Sequence, residues 1–177
     1  LLNNPINTLV NVCKKLKEKK LDKGNKNFQP SNLEFTGIYV DNKAHNVIPA
    51  KARAQFNIRY NNFHTAKSLK KKINTIVKNI CKRSKCAFKI EYLANGDSFL
   101  TKPEKTIFMA KKIIKKITRI NPKFSTTGGT SDARFIRKIA PCLEFGLVNK
   151  TMHKIDECVS ISDPVSYTHL TLPTNKA

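Results

Sequence analysis

Residues 52–60 read Ala52-Arg53-Ala54-Gln55-Phe56-Asn57-Ile58-Arg59-Tyr60. Apolar and polar side chains alternate strictly, and a period of two places them on opposite faces of a pleated strand. Ala52, Ala54, Phe56, Ile58 and Tyr60 form the face to be buried; Arg53, Gln55, Asn57 and Arg59 form a polar face. Upstream, Leu33, Phe35 and Gly37 open a second alternation that runs to about Val40, with Asp41 to Ala44 as a turn. Two amphipathic helices flank these strands. The first covers 5–20, with Ile6, Leu9, Val10, Cys13 and Leu16 on one face, Asn4 as N-cap and Pro5 at the first helical position. The second covers 65–82, with Leu69, Ile73, Ile76, Val77 and Ile80 at helical spacing. Phe88, Ile90 and Tyr92 alternate as a third strand. The order αββαβ becomes βαββαβ, a ferredoxin-like split-βαβ sandwich, if one strand is added in front. The expectation is a ferredoxin-like α+β domain over 1–99 whose first strand lies upstream of Leu1.

The character changes after Asn95-Gly96-Asp97. Pro103 opens a third helix with Ile107, Ala110, Ile113, Ile114 and Ile117 expected inward. A turn at Asn121-Pro122, a short strand over 123–127, a short helix over 131–138 and a short strand over 142–145 follow. This alternation predicts part of an α/β domain with a mostly parallel sheet over 100–164. The final segment, 165–177 (VSYTHLTLPTNKA), departs from the Lys/Asn/Ile composition of the rest and reads as a non-native tail.

The formal net charge is +22, from 34 Lys+Arg and 12 Asp+Glu. The excess is mostly Lys spread along helices, without an Arg-rich stripe interleaved with aromatics, so it reads as solvated helix faces rather than a nucleic-acid surface. The Lys clusters 70–72 and 111–112 fall in this class, and a basic binding module without catalysis is the rival reading. Five cysteines, Cys13, Cys81, Cys86, Cys142 and Cys158, fit neither a disulfide framework nor a zinc knuckle. No signal peptide and no apolar run of about 20 residues is present, which predicts a cytoplasmic protein. His64 is expected as a local cap or surface residue, and Tyr39, Tyr60 and Tyr92 as strand residues with polar tips outward.

Two segments carry chemistry. Thr126-Thr127-Gly128-Gly129-Thr130-Ser131-Asp132-Ala133-Arg134 places a Gly pair between a strand and a helix. Glycines allow close backbone approach, N–H groups opening a helix face an anion, and Arg134 can fork a carboxylate. The same residues also suit an ordinary strand-to-helix turn. Phe145 to Val159 holds His153 on a loop, with Asp156 and Glu157 just beyond. One imidazole is not a metal site, because zinc takes three or four protein ligands.

Taken in order, NNPI (3–6), HNVIPAKARAQFNIRY (45–60), FLTKP (99–103), STTGGTSDARFI (125–136) and EFGLVNKTMHKIDECV (144–159) resemble the aminoacylase-type dinuclear zinc amidohydrolases of the metallopeptidase class, in their desuccinylase branch. The resemblance covers roughly residues 1–164. It implies a lid and dimerisation domain over 1–99, followed by the C-terminal part of a zinc-peptidase-like catalytic domain, and a homodimer formed through the lid. It implies that His153 binds one of two divalent metals, zinc or cobalt. Gly129, Thr130, Arg134 and Asn149 would line the substrate, Arg59 would hold a substrate carboxylate, and Asn46 would reach the partner subunit's active site. The general-base Glu and the other ligands would lie upstream of Leu1, so these residues alone would be inactive. Ala133 stands where the family has Gly, His45 where it commonly has Asn, and Met152 where it has Ile. A deacylase acting on acetylornithine or another N-acyl amino acid is the alternative within the same fold.

Overall fold

The first helix, α1 (Pro5–Glu18), starts where the sequence predicts. The Asn4 side chain accepts the Ile6 N–H at 2.9 Å, and Pro5 occupies a position whose N–H would have no partner. Thr8, Val12 and Leu16, spaced four apart, are its buried stripe. After a loop come β1 (Asn32–Tyr39) and β2 (Arg53–Arg59), which pair antiparallel with Leu33 opposite Ile58, Phe35 opposite Phe56 and Tyr39 opposite Arg53. The register shifts between Phe35 and Gly37, where one extra residue forms a bulge. Helix α2 (Ala66–Ser84) opens with a reciprocal capping box: Thr65 Oγ1 accepts the Ser68 N–H, and Ser68 Oγ accepts the Thr65 N–H. It closes on Lys85 in the left-handed conformation at φ 52°, whose N–H returns to the Cys81 and Lys82 carbonyls. This structure is a computed structural model, and it describes residues 3–102, 104–126, 131–146 and 150–163.

The chain divides into two units, Leu1–Phe99 and Leu100–Ala177. In the first, α1 and α2 pack on each other and α1 covers both strands. Val12, Leu16, Leu33, Ile73, Val77 and Cys81 are buried together, joined by half-buried Phe35, Phe56, Ile58, Ile90 and Tyr92. Phe35 and Phe56 meet edge to face at 5.8 Å, the arrangement favoured by the ring quadrupoles. Each large apolar side chain so buried contributes roughly 1.5–3 kcal/mol. Lys17 ties α1 to β1 through Glu34 at 2.6 Å and the Leu33 carbonyl at 3.2 Å. The five cysteines are free, and Cys81 packs as a buried apolar residue.

The mixed α/β reading holds, and several details are corrected. Residues 88–92 form no strand. Ile90 and Tyr92 still pack on the core, so the alternation reports burial. Among the described residues the sheet is β1–β2 alone, so this segment has no ladder partner there. In the second unit, α3 (Lys105–Thr118) forms, but the predicted strands at 123–127 and 142–145 do not among the described residues, so no parallel sheet is seen there. Ile107 and Ile114 are buried on α3, whereas Ile113 and Ile117 are exposed, not inward. The predicted helix 131–138 is a single turn, α4 (Ala133–Ile136). Pro103, Thr127 and the tail 165–177 lie outside the described residues. No described helix is long and apolar enough to cross a membrane.

Candidate functional site

Arg59 ends β2, opposite Asn32 at the start of β1. Its side chain is exposed on the polar face, as the alternation requires. Just beyond it lies a cluster that the sequence reading missed. The Asp22 carboxylate accepts the Gly24 N–H at 2.7 Å, the Ser31 N–H at 3.2 Å and the Asn61 Nδ2–H at 2.7 Å. Asn61 also donates its backbone N–H to Ser31 Oγ and its Nδ2 to the Gln29 carbonyl. His64 is buried against this carboxylate, with Nε2 3.1 Å from Oδ2 but out of hydrogen-bond alignment. His64 is therefore not a surface residue. Burial pushes the Asp22 carboxyl up, but the donors from Ser31, Gly24 and Asn61 outweigh it and hold the pKa down at about 2. The signal that could have revealed this was Asp22-x-Gly24, an Asx-turn spelling. The cluster fastens the start of β1 to the end of β2, one residue from the Asn32–Arg59 pair.

Asn46 lies at the other end of the hairpin, in the loop between Val40 and Arg53. The structure thus does not bring Asn46 and Arg59 together. The loop folds against the start of α1 and walls an open concavity of about 560 Å³, lined by Asn4, Ile6, Val40, His45, Asn46 and Pro49 among others. The Asn42 side chain donates to the Val47 carbonyl at 2.6 Å and accepts the Ala44 N–H at 3.2 Å, bracing the turn that carries His45 and Asn46. Arg53 stacks on the Tyr39 ring at 5.1 Å where the loop rejoins the sheet.

Tyr60 turns outward from the same strand and donates to Asp97 Oδ1 at 2.8 Å and to the Gly96 carbonyl at 2.9 Å. Asp97 also accepts the Ala66 N–H that opens α2, at 2.9 Å. Burial first, and the neighbouring Asp97 second, push the Tyr60 hydroxyl up to about 12. Tyr92 departs from expectation, since its hydroxyl is buried and has no hydrogen-bond partner among the described residues.

In the second unit Arg134 sits on the single turn α4, opened by Ser131 Oγ accepting the Ala133 N–H at 3.2 Å. Its guanidinium lies over the Phe135 ring at 4.7 Å, and its Nε is buried with no hydrogen-bond partner among the described residues. A buried cationic donor without an acceptor costs free energy unless an anion meets it. That is the chemistry of a carboxylate-binding Arg. Gly129, Thr130 and Asn149, the remaining predicted lining residues, lie outside the described residues.

His153 is exposed in a turn, and Lys154 N–H closes that turn on the Thr151 carbonyl at 2.9 Å. His153 has φ 61°, and Asp156 has φ 60°. An exposed imidazole is suited to be one metal ligand. Among the described residues no three of His, Cys, Asp and Glu come together, so these residues offer one ligand and do not make a metal site by themselves.

Residues 1–85 match the family model described as the peptidase dimerisation domain. The match covers α1, β1, β2 and α2, including Asn46, Arg59 and the Asp22 cluster. Similarity continues through the second unit. The chain is 62% identical over 160 residues to a succinyl-diaminopimelate desuccinylase of Pelagibacter ubique, covering 90% of this chain and 42% of that protein. It is 47% identical over 161 residues to proteins of the same name from Rickettsia bellii and Rickettsia felis, covering 91% of this chain and 41% and 42% of theirs. The chain therefore spans about two fifths of the length of these relatives.

Proposed function

We propose that the full-length protein hydrolyses N-succinyl-LL-2,6-diaminopimelate to succinate and LL-2,6-diaminopimelate, in lysine biosynthesis in the cytoplasm. The supporting observation is 62% identity, over 90% of this chain, to a relative bearing that enzyme's name. The residues fit such a substrate. It carries several carboxylates, and Arg59 on an exposed strand face and Arg134, whose Nε has no partner among the described residues, are cations that can fork them. Gly129 and Thr130 offer backbone and hydroxyl donors, and Asn46 and Asn149 offer amides. His153 serves as one ligand of a pair of divalent ions, zinc or cobalt. When bound, the ions supply Lewis-acid activation of the amide and of the attacking water; this chain's residues hold and orient the carboxylates around the scissile bond. Residues 1–99 act as the lid and form the homodimer, with Asn46 reaching the partner's site. Residues 100–164 belong to the catalytic domain.

The test is the full-length enzyme assayed on N-succinyl-diaminopimelate and on acetylornithine. A kcat/KM at least 100-fold higher for the succinyl compound is expected. A preference for acetylornithine would replace this reading with that of the related deacylase.

A further inference from the structure

The turn that carries His153 is held shut by one hydroxyl. Thr151 Oγ1 donates to the Cys158 carbonyl at 2.8 Å and accepts the Cys158 N–H at 3.0 Å. A single side chain thus bonds both backbone groups of a residue seven positions away, and the segment 151–158 becomes a closed loop. Inside it, the Lys154 N–H bonds the Thr151 carbonyl. His153 is the third residue of that four-residue turn, with φ 61°, the position that in type II turns calls for φ above zero and usually for Gly or Asn. For a side chain with a Cβ this conformation costs roughly 1–2 kcal/mol, and it persists only where surrounding structure over-determines it. Asp156 repeats the feature at φ 60° within the same loop. Left without its clasp, an exposed eight-residue loop with two such residues would relax toward negative φ and carry the imidazole elsewhere.

We propose that Thr151 is a positioning residue: its hydroxyl, bridging both backbone groups of Cys158, locks the 151–158 loop and so holds His153 in its left-handed conformation, fixing where the imidazole is presented. The inference rests on the reading of His153 as a metal ligand. It differs from that reading in assigning the geometry of the ligand to a residue that touches no substrate and no metal. The bridging atom is the hydroxyl oxygen, so Ser at this position keeps the device and Val removes it while preserving shape.

Three variants of the full-length protein test it: Thr151→Val, Thr151→Ser and His153→Ala. The readouts are zinc affinity by chelator competition and amide hydrogen exchange of 151–158 in the metal-free protein, with thermal melting as a folding control. Removing a direct outer partner of a ligating His weakens metal binding about 10–100-fold; Thr151 bonds the Cys158 backbone and not the imidazole, so a loss at the low end, about tenfold, is expected of its removal. Thr151→Val is expected to show that loss together with faster exchange at the Cys158 amide, while Thr151→Ser stays within about threefold of the parent on this scale. Zinc affinity within twofold of the parent in Thr151→Val overturns the proposal, as does a Thr151→Ser variant as weak as Thr151→Val. Retention of full zinc content by His153→Ala overturns instead the ligand assignment beneath it.

Discussion

The two units hold their candidate residues by different means. In the first, Arg59 stands on a strand paired along its length, backed by a core of Val12, Leu16, Leu33, Ile73, Val77 and Cys81 and fastened by the buried Asp22 carboxylate. In the second, the buried apolar residues among those described are Ile107, Ile114 and Ala133, while Ile139, Ile155 and Ile161 are 89%, 92% and 87% exposed. His153 there depends on a clasp made by one hydroxyl. A residue positioned by a core tolerates local change, since many contacts share the task. One positioned by a local hydrogen bond fails with that bond. Among the described residues, the first unit gathers its helices and hairpin around a shared core, and the second buries few apolar side chains.

Separating the units should break this comparison most visibly. Residues 1–99 expressed alone are expected to melt cooperatively by circular dichroism, whereas residues 100–163 alone should bind a hydrophobic dye and melt without a cooperative transition. A cooperative transition in the second piece would erase the distinction. Next in size is Asp22→Ala, which strands the Asn61 amide, two backbone N–H groups and His64. Breaking a buried charged contact by removing one partner costs about 3 kcal/mol, to be read as a shift in the urea midpoint of residues 1–99. Acid should act through the same carboxyl. Asp22 is held at about 2 against an ordinary 3.8. Because the folded value is the lower, the stabilisation is fully present above about pH 4 and is lost as pH falls toward 2, a drop of roughly 2 kcal/mol. Asp22→Asn should flatten that part of the profile, and an unchanged acid limb would contradict it. The smallest effect belongs to Tyr60→Phe, which removes the bond to Asp97 and should cost about 1 kcal/mol. The Tyr60 hydroxyl is pushed up to about 12, so the stability it lends is present below pH 10 and lost as pH rises through 12. The Phe variant should lack that alkaline loss.

Legibility in the sequence divided along the same line. The α1, β1, β2 and α2 elements were readable because each buries one face, and burial of one face imposes a period that composition cannot hide. Residues 88–92 showed the same period but lack a described ladder partner, so periodicity reported burial without pairing. The strands expected at 123–127 and 142–145 failed for the related reason that short apolar runs do not specify their neighbours. Among site residues, Arg59 could be placed from its polar face. Arg134 and His153 could be nominated only through the ordered motifs around them. The Asp22 cluster and the Thr151 clasp escaped notice because a hydrogen bond between residues 39 apart, or a hydroxyl bridging seven positions, leaves no periodic trace.

Metal content decides the central claim most directly. Elemental analysis of the full-length protein and its His153→Ala variant, purified with zinc present, should show two equivalents per subunit in the parent and loss of one in the variant, with most desuccinylase activity gone. Equal metal content in the two proteins would contradict the assignment of His153 as a ligand and the site built around it.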